Sequence, residues 1–146
     1  MTDAELKARL AIADRLAAIG QAGDARKADA YAACFTEDGV LDLSAGGGGQ
    51  IAGRAAILAW MQAPSVIPQQ PGRPAGFVSH HLTTSKVDLT GPDSATARTY
   101  FLVTSPAGLD HNGFYVDTLR RVGDDWLIEH RRPRTVWIAP DSLLHG

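Results

Sequence analysis

Apolar positions recur at helical spacing along residues 3 to 20. Ile12, Leu16 and Ile19 form one line, and Leu6, Leu10 and Ala13 form an adjoining one. The pattern predicts a helix. Thr2 or Asp3 can cap its start, Glu5 stands where the helix dipole favours negative charge, and Gly20 and Gly23 mark its end. A second, short helix is predicted over residues 27–35, with Tyr31, Cys34 and Phe35 on its buried side. A turn at 37–39 and a strand at 40–43 follow. Residues 53–61 predict a third helix, with Ile57, Trp60 and Met61 along one face. Four strand-like runs come next, at 77–89, 94–105, 113–122 and 126–137. Gly91-Pro92-Asp93, residues 106–112 and Gly123-Asp124-Asp125 separate them as hairpin connections. Helices first and a strand meander afterwards predict an α+β fold, with the helices on one side of a strongly curved antiparallel sheet.

Two stretches interrupt this pattern. Four consecutive glycines occupy 46–49. A phosphate-binding loop would need Lys and Ser or Thr after the last glycine, whereas Gln50 and Ile51 stand there, so the run is read as a hairpin connection. Residues 63–77 carry Pro64, Pro68, Pro71, Gly72, Pro74 and Gly76. They predict a long loop of the kind that forms a lid or a pocket rim.

Composition narrows the classes. The 146 residues, 45% hydrophobic and 21% charged, suit one globular domain over 1–146. Net charge is −2, and the densest basic cluster, Arg131, Arg132 and Arg134, is too short to predict nucleic-acid binding. Cys34 stands alone in an apolar run, which predicts an inert core thiol, no internal disulfide and a cytoplasmic setting. The polar N-terminus has no signal-peptide profile, and no segment approaches the roughly 20 apolar residues of a membrane span.

The chemistry centres on an acid and an imidazole. In an unbulged strand, His81, Thr83 and Ser85 share a face with Val87 and Leu89, while His80, Leu82 and Thr84 share one with Lys86 and Asp88. His81 is therefore expected to point inward and His80 outward. Neighbouring strand histidines that diverge make a poor chelate, so no metal site is expected. Asp24 stands where the first helix breaks. It can cap the second helix or face the same interior as His81, and a carboxylate–imidazole pair there would be a proton-transfer device.

Several segments in order carry a family resemblance: Asp24 with residues 29–40, then 53–57, 81–85, 113–121 and 126–132. Over nearly its full length the chain resembles the SnoaL-like branch of the nuclear-transport-factor-two-like superfamily, of the scytalone dehydratase and dehydrochlorinase type. The resemblance implies a cone-shaped α+β barrel, in which a curved mixed or antiparallel sheet wraps N-terminal helices around a deep apolar pocket. It also implies an Asp–His dyad, which falls on Asp24 and His81, with Ser85 where the common pattern has Asn. Tyr31, Tyr115 and His130 are candidate donors toward a substrate. Arg132 either holds an anionic substrate group or pairs with Asp117 or Glu129.

The implied activity is cofactor-independent proton abstraction, by a dehydratase-like lyase or an isomerase, on a small hydrophobic cyclic molecule. A polyketide-cyclase-like or ketosteroid-isomerase-like enzyme and a noncatalytic binder of apolar ligands are the alternatives. A homo-oligomer, dimer or trimer, is expected. The apolar C-terminal residues Trp137, Ile138, Leu143 and Leu144 either cover the pocket or reach a second subunit.

Overall fold

The first helix, α1 (Asp3–Asp24), opens with a capping box in which the Glu5 backbone N–H donates to Thr2 Oγ1 and the Thr2 N–H donates to the Glu5 carboxylate. This computed structural model describes residues 1–64, 78–142 and 144. Ala8, Ile12, Leu16, Ile19 and Ala22 form the buried stripe of α1, whereas Leu6 and Leu10, the adjoining line, face solvent. The helix does not stop at its glycines. An interior glycine costs about 1 kcal/mol relative to alanine, but a Cβ on Gly23 would meet the Tyr31 ring at 3.5 Å, so the bare backbone lets that ring pack close. The extra turn carries Asp24 to the last helical position, and the chain then reverses through Arg26 at φ 56°. The Arg26 guanidinium donates to the carbonyls of Met61 and Ala63 at 3.0 and 2.7 Å, fixing that corner.

A short helix, α2 (Ala28–Ala32), leads into β1 (Phe35–Asp42), which begins earlier than the sequence suggests. The expected turn at 37–39 is a bulged stretch of β1. A single 3-10 turn, Ser44–Gly46, and the left-handed Gly47 and Gly49 (φ 84° and 72°) connect β1 to β2 (Gln50–Ala52). The glycine run is thus a hairpin connection, at positions where a side chain would be strained. Next come α3 (Arg54–Gln62), β3 (Ser79–Gly91), β4 (Ser94–Ser105), β5 (Gly108–Val122) and β6 (Asp125–Ile138). The expected 106–112 loop is mostly strand, because a tight turn lets β5 start at Gly108. Most of the expected 63–77 loop lies outside the described residues.

The six strands form one curved, unclosed sheet in the order β2-β1-β6-β5-β4-β3. Every pairing is antiparallel except β1 with β6, so the α+β fold has a mixed sheet. Arg9 donates to the Val87 carbonyl of β3 at 2.7 Å, and Arg15 donates to the Trp126 carbonyl of β6 at 2.9 Å. These bonds tie α1 to strands at the edge and in the middle of the sheet. Ile12, Ile19, Phe35, Leu41, Ile57, Leu119 and Ile128 fill the space between helices and sheet. Burying each such side chain stabilises the fold by about 1.5–3 kcal/mol. Cys34 is buried among them, as its sequence context implies. Among the described residues, no helix is long and apolar enough to cross a membrane.

Three one-residue bulges decide which side chains meet the helices. In β3, Leu82 opposes Phe101 but Ser85 opposes Thr99, so β3 gains a residue between them. In β5, Val103 opposes His111 and Thr104 opposes Leu109, leaving Asp110 as the extra residue. In β6, Thr118 opposes His130 and Leu119 opposes Ile128, leaving Glu129 as the extra residue. Each bulge reverses the inward and outward alternation on one side of it.

Candidate active site

A cavity of about 560 Å³ opens between the ends of α1 and α3 and the inner face of the sheet. Apolar and aromatic side chains dominate its wall, among them Ile19, Leu41, Leu43, Trp60, Met61 and Phe101. Tyr31, Asp24, His80, His111, Tyr115 and Arg131 supply the polar groups, and Leu144 of the C-terminal segment also lines it. A largely apolar hollow of this size with a few convergent polar groups suits a small organic ligand.

Asp24 and His80 meet at the cavity wall. The His80 Nδ1–H donates to Asp24 Oδ1 at 2.6 Å, and the His80 backbone N–H donates to Asp24 Oδ2 at 2.8 Å. Both carboxylate oxygens are thus committed to one residue. A carboxylate only accepts, so Nδ1 carries the ring proton and Nε2 keeps its lone pair. The side chains of His80 and Asp24 are 28% and 22% exposed, shielded yet open to the cavity. Asp24 also stands at the C-terminal end of α1, where the dipole disfavours a carboxylate and where no basic residue occupies the last turn. The Asp24 side chain does not cap α2, whose N-cap, Lys27, makes no side-chain cap bond. Helix stability does not account for an acid at this position, whereas the bonds to His80 do.

The imidazole that reaches Asp24 is His80 and not His81, which corrects the sequence expectation. The β3 bulge between Leu82 and Ser85 is the cause. Val87 and Leu89 do turn toward the interior, but alternation reverses across the bulge, so His80 and Leu82 share their side. His81 is exposed, and its Nε2 lies 3.1 Å from Thr104 Oγ1. Ser85 meets Thr99, with 2.7 Å between hydroxyls.

Tyr31 and Tyr115 line the cavity. Burial pushes the Tyr31 phenol up to about 12 and raises that of Tyr115 as well. Tyr115 stacks on Phe101 with ring centroids 4.5 Å apart, and the Arg131 guanidinium lies 3.9 Å from its centroid on the other contact. Arg131 also donates from Nε and Nη2 to the two Asp117 oxygens, both at 2.8 Å. Burial works against the charged guanidinium, but the Asp117 carboxylate outweighs it, and the net shift is upward. The floor of the cavity therefore holds a permanent, paired cation.

His130 and Arg132 do not line the cavity, again because of a bulge. With Glu129 as the extra residue, Ile128 and Arg131 face inward while His130 turns to the other face. There His130 Nε2 lies 3.5 Å from Asp42 Oδ2. Ser44 holds the Asp42 carboxyl below its usual range by donating from its hydroxyl and its backbone N–H. The partner of Asp117 is Arg131, and that of Glu129 is Arg120, so neither pairing expected for Arg132 forms.

The sequence reading also missed His111. Its Nδ1–H donates to Asp110 Oδ2 at 2.6 Å, and its ring edge faces His80, with centroids 6.4 Å apart. An Asp-His dipeptide inside the connection predicted over 106–112 gave no sign that both residues would turn inward.

The architecture recurs in solved structures. A protein of unknown function from Mycobacterium tuberculosis is 27% identical, with a TM-score of 0.75 over 95% of this chain and 78% of its own. A scytalone dehydratase candidate from Novosphingobium aromaticivorans is 22% identical, with a TM-score of 0.79 over 95% of this chain and 91% of its own. A type 2 hexachlorocyclohexane dehydrochlorinase, LinA, is 15% identical, with a TM-score of 0.77 over 94% of this chain and 90% of its own. The latter two, at such identities, share the fold alone. A search of curated proteins finds no match. A family model for the SnoaL-like domain matches residues 4–132, nearly the whole of the helices and sheet just described, and the chain belongs to that family.

Proposed function

We propose that this protein is a cofactor-independent enzyme that removes a proton from carbon in a small hydrophobic cyclic molecule, using Asp24 and His80. The observation that carries the reading is the 2.6 Å bond between Asp24 Oδ1 and His80 Nδ1 at the wall of an apolar cavity. His80 Nε2 takes the proton from a carbon acidified by a neighbouring carbonyl. The electron pair moves toward that oxygen and then expels a β-leaving group or shifts a double bond. The charge formed on the ring meets a carboxylate already in contact with it, so no reorganisation is needed as the proton moves. Tyr31 and Tyr115 remain protonated at neutral pH and are available as neutral donors to a developing oxyanion.

A carboxylate acting directly as the base, the ketosteroid-isomerase-like alternative, is less well supported, because both Asp24 oxygens already accept from His80. The homo-oligomer expected from the sequence remains part of this proposal. The exposed Tyr100, Val136, Trp137 and Ile138 of the sheet offer apolar surface to a second copy.

A β-(nitrophenoxy)cyclohexanone provides the test, because proton abstraction next to its carbonyl releases coloured nitrophenolate. The wild type should release it faster than free imidazole at equal concentration, and His80→Ala should lose that advantage while still binding the ketone. Release by the variant at the wild-type rate would refute the reading and leave a binding protein.

A further inference from the structure

We propose that His111 is the acid of this pocket: oriented by Asp110 and Ser142, it hands a proton to a poor leaving group while His80 takes one from the adjacent carbon. The inference rests on the Asp24–His80 reading and extends it to the class of substrate. The favoured reaction becomes elimination of a hydroxyl or alkoxyl group, which cannot depart readily without a proton.

The first support is local. Adjacent strand residues normally point to opposite faces. The bulge at Asp110 breaks that rule, and both Asp110 and His111 turn to one side, with side chains 2% and 12% exposed. Asp110 Oδ2 accepts from His111 Nδ1–H at 2.6 Å and from the Ser142 hydroxyl at 2.7 Å. The Asp110 carbonyl accepts the Ala139 N–H at 2.8 Å. Nδ1 is therefore fixed as the protonated nitrogen facing Asp110, and Nε2 is left for the cavity that the ring lines. In its proposed acid role His111 carries a proton on each ring nitrogen: Nδ1–H stays on the Asp110 carboxylate, which balances the charge, and Nε2–H faces the cavity.

The second support is the placement relative to His80. Val103 of β4 is the register partner of His80 on one side and of His111 on the other, so the two histidines flank it in one inward row. Their rings lean together at 6.4 Å and 83°, and each packs on Phe101 at 6.0 Å. Two imidazoles, each oriented by its own carboxylate, thus stand side by side on one wall. That spacing suits neighbouring atoms of one substrate.

The step balances. The C–H bond breaks, with its proton going to His80 Nε2, and its electrons form the carbon–carbon double bond. The neighbouring C–O bond breaks, and the departing oxygen takes the Nε2 proton of His111 as it leaves as water or alcohol. His80 ends cationic and His111 neutral, and proton return between the adjacent rings restores both.

The alternative is that His111 only neutralises Asp110 and pins the C-terminal segment. Leaving-group dependence separates the two, because a structural pin serves good and poor leaving groups alike. Wild type, His111→Gln and His80→Ala would be assayed on β-hydroxycyclohexanone and on its β-nitrophenoxy counterpart. His111→Gln should lower turnover of the hydroxy ketone by about 10²-fold or more beyond whatever it takes from nitrophenolate release. Equal losses on both ketones, no loss on either, or a wild type that turns over only the nitrophenoxy ketone would overturn the proposal for His111. If His111→Gln fails to fold, Ser142→Ala must show the same selective loss, several-fold in size, and equal losses would again overturn it. Nitrophenolate release that survives His80→Ala instead overturns the Asp24–His80 reading, so the two failures are distinguishable.

Discussion

Replacing Asp24 with asparagine changes one atom of the dyad and should cost catalysis far more than stability. The carboxylate accepts two bonds from His80, at 2.6 Å from Nδ1 and 2.8 Å from the backbone nitrogen. An amide offers one acceptor and one donor, so it cannot satisfy both. If its oxygen accepts the ring N–H, its NH₂ faces the backbone N–H, and a donor left unsatisfied costs about 1–3 kcal/mol. If its oxygen accepts the backbone N–H, its NH₂ faces Nδ1, and the ring proton moves to Nε2. The second arrangement keeps every bond and is therefore preferred, but it removes the lone pair that acts as the base. General-base assistance of about 10²–10⁴-fold would be lost, equivalent to roughly 2.7–5.5 kcal/mol of barrier. On the stability side, a net hydrogen-bond contribution of about 1 kcal/mol is weakened. Relief of a carboxylate at a helix C-terminus returns about 0.3–1 kcal/mol. The net change should be within about 1 kcal/mol, or about 2–4 °C in Tm for a chain of this size. Nitrophenolate release and thermal unfolding measured on the same preparation would check both numbers. Turnover at the wild-type level, or a collapse in stability with the remaining folded fraction fully active, would refute the tautomer argument.

Two further outcomes follow from the cavity floor. Arg131→Met leaves the fully buried Asp117 carboxylate without its partner, and breaking such a pair should destabilise the protein by about 3–5 kcal/mol, measurable by urea unfolding. Because burial raises the Tyr31 phenol to about 12, the native state holds that proton more tightly than the unfolded chain. The associated stability is fully present below about pH 10, the ordinary phenol value, and is lost as pH rises toward 12, at up to about 1.4 kcal/mol per pH unit. Chemical unfolding across that window should show this slope for the wild type and a shallower one for Tyr31→Phe.

Much of the fold was legible because it depends on periodicity. The Ile12, Leu16 and Ile19 line, the glycine connection and the four long strands stand where the pattern puts them, apart from the early start of β5 at Gly108. The parallel β1–β6 pairing was not legible, since nothing local records which distant strand becomes a neighbour. The site shows the same divide. Asp24, Tyr31 and Tyr115 reach the cavity, whereas His81, His130 and Arg132 face elsewhere and His80, His111 and Arg131 take the inward places. The exchange of His81 for His80 traces to an extra residue near Thr83, that of His130 and Arg132 for Arg131 to one at Glu129, and the inward turn of His111 to one at Asp110. A bulge has no strong composition of its own, and it changes the face of every residue on one side of it. Burying an apolar set on both sides of such a bulge is what fixes it, and that requires the tertiary structure. In β3, Leu82 and Val87 both turn inward although they stand five positions apart, an odd offset that an unbulged strand would send to opposite faces.

Turnover by His80→Gln and His81→Gln, side by side with the wild type on the nitrophenoxy ketone, tests the central claim most directly. The account predicts a loss of about 10²–10⁴-fold for the first variant and wild-type rates for the second. Full activity in His80→Gln, or a comparable loss in His81→Gln with the fold intact, would contradict it.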